Sequence, residues 1–364
     1  RPLRGGVAAT DAGLYNAGAV MLGSSLVPLT EFRDSPDEHI GLVFAANGIV
    51  RALKPAVGGG PGLIARVDAA TLRSVRAVKL AEAPLGLPED QPLRRSLAGT
   101  ADGRLFVLLS GSGFQVVPGS FDALVPPPVA RSVVNAASST GPVAPGALIS
   151  IFGDNLAPLT SRAGAAPLPT FLADTCLTMN NVPVPLLFLS PGQINAQLPF
   201  EVTGSTTLVI HAPGGVSEPF SFDTSSAAPA LFQSNFGGQA APPLPIILRA
   251  FNQQPVTVSN PARRGDVLVL FGNGFGRVSP GLASGTAAPV GALFSTVLRP
   301  TVTVGGRAAE VLFSGLAPGF VGLNQLNMVV PLDAPLGFGV ALQITSGGVS
   351  SETVLPRVAA ELER

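Results

Sequence analysis

The side chains that could carry out acid–base or nucleophilic chemistry are few in this sequence. Its two histidines, His39 and His211, lie far apart along the chain. A catalytic triad needs a base that is hydrogen-bonded to a nucleophile and oriented by a third group, and the sequence contains no Gly-x-Ser-x-Gly elbow. We therefore predict no catalytic residues, and we interpret His211 as a surface turn residue that follows the strand Thr206–Ile210.

Two groups of acidic and amide residues could offer the oxygen ligands that Ca²⁺ prefers. One surrounds a histidine and comprises Asp34, Asp37, Glu38 and His39. The other occurs in two related segments as Asp154 with Asn155, and as Asp266 with Asn273. The first group is more simply interpreted as a solvated loop, and the two segments do not place their acids alike. The sequence thus predicts no metal ligand and no cofactor.

A glycine-rich motif and a single cysteine have structural interpretations as well. Gly272–Gly276 looks like part of a dinucleotide fingerprint, which needs a helix N-terminus directly after it to receive the pyrophosphate. The next segment, Arg277–Gly281, cannot start such a helix soon enough, so we interpret the motif as a turn. Cys176 stands alone, which excludes an intrachain disulfide and a thiolate cluster. In a strand-like context we expect it to be a small buried hydrophobe.

The aromatic residues argue against a stacking site for sugars. The chain has no Trp, one Tyr (Tyr15) and 20 Phe, and phenylalanine lacks a polar handle. We expect most of the phenylalanines to lie inside strand cores, including Phe152, Phe188, Phe271 and Phe313. A carbohydrate-binding module therefore stays an alternative and not the main hypothesis.

Composition limits the classes to which the chain can belong. The net charge is zero, and acids and bases balance within each part, which disfavours nucleic-acid binding. No apolar run approaches the ~20 residues that span a bilayer. The 43 Gly and 36 Pro among 364 residues favour many short strands with tight turns and disfavour long helices.

The strongest pattern is an internal repeat. Pro145–Leu156 recurs as Arg264–Phe275, and each copy is an apolar run between glycines, as expected of a buried strand. We expect Gly153 and Gly272, which close the two runs, to turn the chain sharply with positive φ. Further matches follow in the same order: Asn180-Asn181 with Gly305-Gly306, Phe188 with Phe313, Gln193–Asn195 with Gln325–Asn327, and Gly214–Ser217 with Gly347–Ser350. The separation between matched positions only increases along the chain, as loop insertions between preserved strands would produce. The sequence therefore predicts a duplicated β unit.

The predicted fold is all-β, with two tandem immunoglobulin-like β-sandwiches behind a partial β-propeller-like region. Charge density halves near Val125–Pro128, and a proline run of this kind is typical of a stiff linker. We predict a propeller-like fragment over 1–125, a proline-rich linker over 126–130, and sandwiches over 131–234 and 235–364.

Short strands are predicted in each part of the chain. The front part is expected to contain Leu42–Ala45, Leu63–Val67, Val75–Leu80, Leu105–Leu109 and Phe114–Val117. For the first sandwich the strands are Leu148–Phe152, Leu186–Leu189, Ile194–Leu198, Thr206–Ile210 and Phe220–Phe222. Those of the second are Val267–Phe271, Ala309–Phe313, Leu326–Val330, Val340–Ile344 and Val349–Leu355. Alternation in Gln193–Leu198 predicts an apolar inner face and an amide outer face.

Two resemblances add to this interpretation. Leu63–Leu72 and Ala101–Leu108 look like strands of surface-layer-type β-propeller repeats. At ~40 residues a blade, the front part would supply about three, fewer than a closed propeller needs. Either earlier blades precede Arg1, or this part is not a propeller. We favour the first interpretation, in which the chain is a fragment of a longer protein.

The second half closely resembles an uncharacterised C-terminal module family of large exported proteins of soil bacteria. The motifs that carry this resemblance are Val133–Ser138, Pro145–Leu156, Ser190–Asn195, Gly238–Ala241, Ser259–Ala262 and Phe313–Asn327. The opening strand also looks like that of transcription-factor-type immunoglobulin (TIG) domains. One departure is Leu244–Leu248, where the family tends to be more polar. The resemblance implies fold and export, and it supplies no reaction.

Together these observations predict a non-enzymatic extracellular or cell-surface scaffold or adhesion protein. Its expected partner is an unknown protein or polysaccharide at the cell surface, with no nucleic acid and no membrane span. One alternative is an exported enzyme whose active site lies in the propeller part, with the sandwiches as accessory modules. The other is a carbohydrate-binding module.

Overall fold

A computed structural model describes residues 5–32, 38–45, 48–54, 60–69, 71–86, 93–123, 125–236 and 243–360. Within these ranges the regular structure is β-strand throughout, without a helix, which confirms the predicted all-β class. None of the described residues therefore belongs to a helix that could cross a membrane.

The front part contains three antiparallel sheets with one parallel contact. Its strands are β1 (Gly5–Ala9), β2 (Tyr15–Ala17), β3 (Val20–Leu22), β4 (Pro28–Glu31), β5 (Glu38–Ala45), β6 (Gly48–Lys54), β7 (Leu63–Val67), β8 (Ser74–Lys79), β9 (Leu93–Arg94), β10 (Leu97–Gly99), β11 (Leu105–Ser110) and β12 (Gly113–Pro118). The sheet orders are β4-β3-β2-β1-β9, β5-β6-β7-β8 and β10-β11-β12, and β1 runs parallel to β9. All five strands predicted for this part are confirmed.

The next part of the chain forms two sheets that face each other. Its strands are β13 (Val129–Asn135), β14 (Leu148–Asp154), β15 (Ser161–Arg162), β16 (Phe171–Leu172), β17 (Thr175–Met179), β18 (Val182–Pro183), β19 (Leu186–Leu189), β20 (Gln193–Gln197), β21 (Ser205–Ala212), β22 (Gly215–Val216) and β23 (Phe220–Asp223). One sheet has the order β13-β14-β20-β19-β15, and the other is built on β16-β17-β21-β22. Both sheets contribute to one buried apolar cluster, for example through Ile151 and Ile194 from the first and Ile210 from the second.

The last part repeats this arrangement. Its strands are β24 (Ala230–Leu231), β25 (Gln233–Ser234), β26 (Leu244–Pro245), β27 (Ile247–Arg249), β28 (Ala262–Arg263), β29 (Val267–Asn273), β30 (Val278–Ser279), β31 (Ser295–Thr296), β32 (Thr301–Val304), β33 (Arg307–Ala309), β34 (Val311–Leu316), β35 (Asn324–Val329), β36 (Gly337–Ser346) and β37 (Val349–Ala359). The two large sheets have the orders β24-β29-β35-β34-β31-β30 and β28-β37-β36-β32-β33. A second apolar cluster lies between them.

Strand register confirms that the two sandwiches are equivalent. Ile151 lies opposite Ile194 in the first, and Leu270 lies opposite Leu326 in the second. The pairing of β19 with β20 is irregular between Leu186 and Phe188, and that of β34 with β35 is irregular at the equivalent place, between Val311 and Phe313. Both two-residue hairpin turns have positive φ, at Asn180-Asn181 and at Gly305-Gly306, as the mirror-image turns of β-hairpins require.

The glycines that close the two apolar runs have a different role from the predicted one. Gly153 and Gly272 lie inside β14 and β29, and neither has positive φ. A Cβ atom on Gly153 would meet the carbonyl oxygen of Val129 on the neighbouring strand, and one on Gly272 would lie 2.7 Å from the carbonyl oxygen of Ala230. These positions need glycine because a neighbouring backbone approaches closely.

Two details of the predicted repeat also need correction. The predicted strand Ala309–Phe313 is divided between β33 and β34, which belong to opposite sheets, so the chain crosses between the sheets at Glu310. The hairpin turn of the first copy falls one residue earlier than the matched glycines imply, because Ala212 pairs with Gly215 whereas Ser346 pairs with Val349.

The front part and the first sandwich share a buried contact. Leu53 and Leu63 belong to the same apolar cluster as the core of the first sandwich. Regular structure resumes after the proline run at Val129, inside the predicted linker. Near the other predicted boundary, Ala230–Leu231 pairs with β29 of the second sandwich. The predicted domain boundaries stay predictions.

Candidate functional site

The residues considered for metal binding separate into different environments. Asp34 and Asp37 lie outside the described residues, while His39 is buried, with its ring centroid 5.7 Å from that of Phe32. In the described part of the chain, no three His, Cys, Asp or Glu side chains come together as ligands. An Asp–His cluster therefore has no support from the residues that can be placed.

The acids of the two sandwiches contact arginines. Asp154 accepts a hydrogen bond from Arg131 Nε at 2.7 Å. Asp266 Oδ2 accepts from the backbone N–H of Arg263 at 2.8 Å and lies 3.1 Å from Arg249 Nε. An arginine already supplies the positive charge next to each carboxylate, so neither contact favours a calcium site.

Cys176 and His211 face each other across β17 and β21. His211 is thus an exposed residue within the strand Ser205–Ala212 and not a turn residue. Cys176 is half-buried, and this burial raises the pKa of its thiol. A raised pKa disfavours the thiolate, which is the nucleophilic form, so the surroundings of Cys176 do not favour cysteine catalysis.

The glycine-rich loop after β29 has a packing role. Gly274 and Gly276 have φ of 77° and 89°, which places the Phe275 side chain fully in the core of the second sandwich. Phe275 N donates to Asn324 Oδ1 at 3.1 Å. The interpretation of Gly272–Gly276 as a turn agrees with this geometry, because no helix follows it.

Asn273, the last residue of β29, joins the two sandwiches through hydrogen bonds of its side chain. Its Nδ2 atom donates to Asn135 Oδ1 at 2.8 Å and to the carbonyl oxygen of Leu148 at 2.7 Å. In return, Leu148 N donates to Asn273 Oδ1 at 2.8 Å. Asn135 also donates to the carbonyl oxygen of Ala228 at 2.8 Å. We call Asn135, Asn273 and the Leu148 backbone the amide bridge.

A second contact between the sandwiches lies beside the amide bridge. Strand alternation predicted that Gln197 lies on the outer face, yet its side chain is buried. A loop of the second sandwich covers it there, and Gly285 N of that loop donates to Gln197 Oε1 at 2.6 Å. Its Nε2 atom donates to the carbonyl oxygen of Gly146 at 3.1 Å. Ser284 Oγ accepts from Phe200 N at 3.0 Å. The loop of the second sandwich that carries Ser284 and Gly285 is thereby fixed to the first.

The phenylalanines matched between the two copies lie on outer sheet faces, which corrects their predicted place in strand cores. Phe152 is 38% exposed and lies opposite Gln193, while the half-buried Phe188 lies opposite Asn195. The second copy repeats both pairs, as Phe271 with Gln325 and as Phe313 with Asn327. We call these two sets of four residues the aromatic–amide faces. Strand periodicity did not reveal this, because a continuous apolar run does not show which residues face outward.

The amides of the aromatic–amide faces are connected in the same way in both copies. Gln193 Nε2 donates to Asn195 Oδ1 at 2.7 Å, and Gln325 Nε2 donates to Asn327 Oδ1 at 3.0 Å. Among the described residues, the glutamine Oε1 and the asparagine Nδ2 make no other hydrogen bond in either copy, so the first is available as an acceptor and the second as a donor.

In the second sandwich the aromatic–amide face continues into an apolar groove between the sandwiches. The groove has a volume of 650 Å³. Its walls are formed from both sandwiches by Leu148, Leu187, Phe232, Ile246, Phe271 and Phe320, among others. The amide bridge lies at its edge, because Leu148 belongs to both.

No protein-family model matches the chain, and no curated protein matches it. Among solved structures, it is similar to SGBP-B from a complex xyloglucan utilization locus in Bacteroides uniformis, with 16% identity over 63% of this chain and 49% of that chain and a TM-score of 0.20. It is also similar to the surface glycan-binding protein PbSGBP-B from Prevotella bryantii, with 11% identity over 62% and 41% and a TM-score of 0.21.

A third similar structure is Gamma-CGTASE from Alkalophilic bacillus clarkii, with 10% identity over 86% of this chain and 39% of that chain and a TM-score of 0.20. The chain spans about half or less of the length of these three proteins. TM-scores this low do not establish a shared fold.

Proposed function

We propose that this chain is a non-enzymatic extracellular scaffold or adhesion protein that attaches to polysaccharide at the cell surface. The observation that supports the proposal best is the aromatic–amide face, which occurs in the same register in both sandwiches. Two equivalent faces in one chain suit a repeating polymer, because binding at one face raises the effective concentration of the polymer at the other.

The chemistry of each aromatic–amide face suits a sugar ring. The C–H groups on one side of a pyranose are apolar and pack against an aromatic ring such as Phe152, which is exposed next to Gln193. The ring hydroxyls are both donors and acceptors, so they match the available Gln193 Oε1 and Asn195 Nδ2 atoms. A cluster of apolar surface with a few polar groups of fixed orientation is typical of ligand sites.

The proposed organisation is that of the predicted scaffold. We propose that the two sandwiches are immunoglobulin-like, of the TIG type, and that they belong to the C-terminal module family of exported proteins. The meander β5-β6-β7-β8 has the four-stranded form of one propeller blade, which supports a propeller-like front part. In this proposal the front part and the sandwiches act outside the cell without a reaction of their own.

Binding of the full chain to immobilised polysaccharides tests the proposal. We expect retention on at least one plant or bacterial polysaccharide, and a loss of about tenfold in affinity for Phe152→Ala combined with Gln193→Ala, which corresponds to about 1.4 kcal/mol. The matched control is Phe251→Ala, which removes a phenylalanine that is 75% exposed outside the aromatic–amide faces.

Two outcomes would contradict the proposal. If the double variant binds as well as the unchanged chain, the aromatic–amide face has only a packing role between strands. If the chain releases reducing ends from a polysaccharide that it binds, it is an enzyme and not a scaffold. Thermal unfolding of each variant shows whether a loss of binding arises from a loss of folding.

A further inference from the structure

A cavity lined by both polar and apolar residues lies at the edge of the second sandwich, where β31 and β34 of one sheet meet β32 and β33 of the other. Its volume is 420 Å³, within the range of about 300–1,000 Å³ that ligand pockets occupy. Phe313 lines this cavity and also belongs to the aromatic–amide face of the same sandwich. The cavity is therefore continuous with the surface to which we assign polysaccharide binding.

The cavity has one charged side chain, the exposed Arg299, and its lining contains no carboxylate. Arg299 makes no hydrogen bond or ion pair with any other described residue, so its guanidinium group is available to a ligand. All five N–H donors of this guanidinium group remain, in a planar arrangement that matches a carboxylate in two parallel hydrogen bonds.

Hydroxyl groups surround this arginine. Deep in the cavity, Thr296 Oγ1 lies 3.0 Å from Ser314 Oγ, and both residues are buried, so these two hydroxyls satisfy each other. Nearer the surface, Ser295, Thr301 and Thr303 line the cavity, and their side chains make no hydrogen bond within the described ranges. Together with Phe313 they provide donors, acceptors and one aromatic ring around a single positive charge.

We propose that this cavity binds a uronic acid residue of an acidic polysaccharide. Arg299 pairs with the sugar carboxylate, the Thr301 and Thr303 hydroxyls bond to ring hydroxyls, and Phe313 packs against the apolar side of the ring. This inference depends on the proposed attachment to polysaccharide and names the class of sugar. Because Arg299 is exposed, its contribution is screened by salt, so the affinity should fall as the ionic strength rises.

Calorimetric titration of the full chain with defined oligosaccharides tests the inference. The probes are oligogalacturonate, oligomannuronate and hyaluronan fragments, and the matched ligand is fully methyl-esterified oligogalacturonate, which has the same rings without charge. We expect at least one acidic probe to bind, and the methyl ester to bind about tenfold more weakly than oligogalacturonate if that is the probe bound.

Variants connect the binding to the cavity. Arg299→Gln should weaken binding of the acidic probe about tenfold, because it removes the charge that pairs with the carboxylate. Thr303→Val should weaken binding only about threefold, because it removes one neutral hydrogen bond. Arg104→Gln is the control, because its side chain is 84% exposed in the front part, far along the chain from the cavity.

The outcomes separate this inference from the proposed function. If neutral polysaccharides bind but no acidic probe binds more tightly, the uronic acid assignment is wrong and the proposed attachment stands. If the acidic probe binds but Arg299→Gln and Arg104→Gln weaken it equally, the cavity is not the site. If no polysaccharide of either kind binds, both proposals are wrong.

Discussion

Arg51 and Asp174 form a fully buried ion pair between the front part and the first sandwich. Arg51 Nη2 lies 2.8 Å from Asp174 Oδ1, with neither side chain exposed. Ser74 Oγ accepts from the same Arg51 nitrogen and donates to the same carboxylate oxygen, both at 2.7 Å. The guanidinium carbon lies 5.2 Å from the centroid of the Phe32 ring. Charges removed from water in this way need their partner, because desolvation is otherwise uncompensated.

Removing either partner of this ion pair should destabilise the protein strongly. We expect Arg51→Met or Asp174→Asn alone to lower the free energy of unfolding by about 3–5 kcal/mol, measured by chemical denaturation. Asparagine suits the test because residue 174 has a positive φ of 55°, which asparagine tolerates. The double variant should lose less than the sum of the two single variants. Strict additivity would show that the pair is not coupled.

The contact between Arg66 and Asp122 should make stability depend on pH. Burial alone would raise the pKa of Asp122, but the hydrogen bonds and positive charge of Arg66 outweigh burial, so the pKa lies below its usual 3.8. The Asp122 carboxylate therefore binds a proton more readily in the unfolded chain than in the folded one. The contact stabilises the fold above about pH 4, and this stabilisation is lost as the pH falls through the lower pKa of the folded state.

Substitution of Asp122 checks this pH dependence. Asp122→Asn should lower the free energy of unfolding by about 1–2 kcal/mol at pH 7, and the difference from the unchanged chain should shrink at acidic pH. Asp11→Asn, at an exposed turn, is the control. A difference that persists undiminished at pH 2 would show that lost packing, and not charge, is responsible.

At the scale of strands, the alternation of polar and apolar residues and the residues of tight turns predicted the buried faces and the hairpins better than the continuous apolar runs did. The inner face of β20 is as expected, since Ile194 and Ala196, together with Leu198 directly after the strand, are fully buried. Gln197 breaks the alternation only because another sandwich covers it, which a strand pattern cannot show. In the apolar runs β14 and β29, the side chains that face outward were indistinguishable from those that face inward. The predicted turn role of Gly153 and Gly272 was wrong because both strands continue through these residues, where a neighbouring backbone approaches closely.

One difference between the two copies of the repeat in the sequence indicates the amide bridge. Asn273 occupies the position equivalent to Asp154, since each follows the glycine that ends its apolar run. The first copy has an acid there, paired with the exposed Arg131, while the second has a neutral amide that is completely buried. Loss of charge between matched positions of a repeat indicates that one of the two has become an interface.

The close approach at Gly153 gives a prediction for the strand pair β13 and β14. A methyl group on Gly153 would contact the Val129 carbonyl oxygen, and backbone cannot move aside as a side chain can. We expect Gly153→Ala to lower the free energy of unfolding by about 1–3 kcal/mol. The control is Gly192→Ala, whose added Cβ would lie 3.8 Å from the nearest atom. Equal stability of the two variants would show that β13 and β14 separate easily.

At the scale of the whole molecule, polar contacts fix how the two sandwiches are placed relative to each other. Amide groups that bond only to each other and to backbone have narrow distance and angle requirements, so they specify an orientation in a way that apolar contact does not. The amide bridge and the Gln197–Gly285 contact act on the same side of the junction. A defined orientation keeps the two aromatic–amide faces at a constant separation, which the proposed attachment to a repeating polymer would require.

Replacing Asn273 with aspartate, the residue type at the matched position Asp154 of the first sandwich, tests whether the amide bridge fixes this orientation. Asn273 Nδ2 donates to two acceptors, Asn135 Oδ1 and the Leu148 carbonyl oxygen. Asn273→Asp would place a carboxylate against both of them in a fully buried site. We expect it to cost more than Asn273→Ala, for which about 1–3 kcal/mol is expected from each buried group that loses its partner. Protonation removes the charge, so the Asp variant should recover stability as the pH falls.

Denaturation monitored by amide hydrogen exchange distinguishes a loosened junction between the sandwiches from a general loss of stability. In the unchanged chain we expect the two sandwiches to unfold together, whereas in Asn273→Asp at neutral pH the transition should divide, with β29 and β35 losing protection separately from β14 and β20. Asn252→Ala, at an exposed site, should leave the single transition intact. If Asn273→Asp also unfolds in one transition with unchanged midpoint, the sandwiches do not depend on the amide bridge, and a fixed separation of the two faces has another cause.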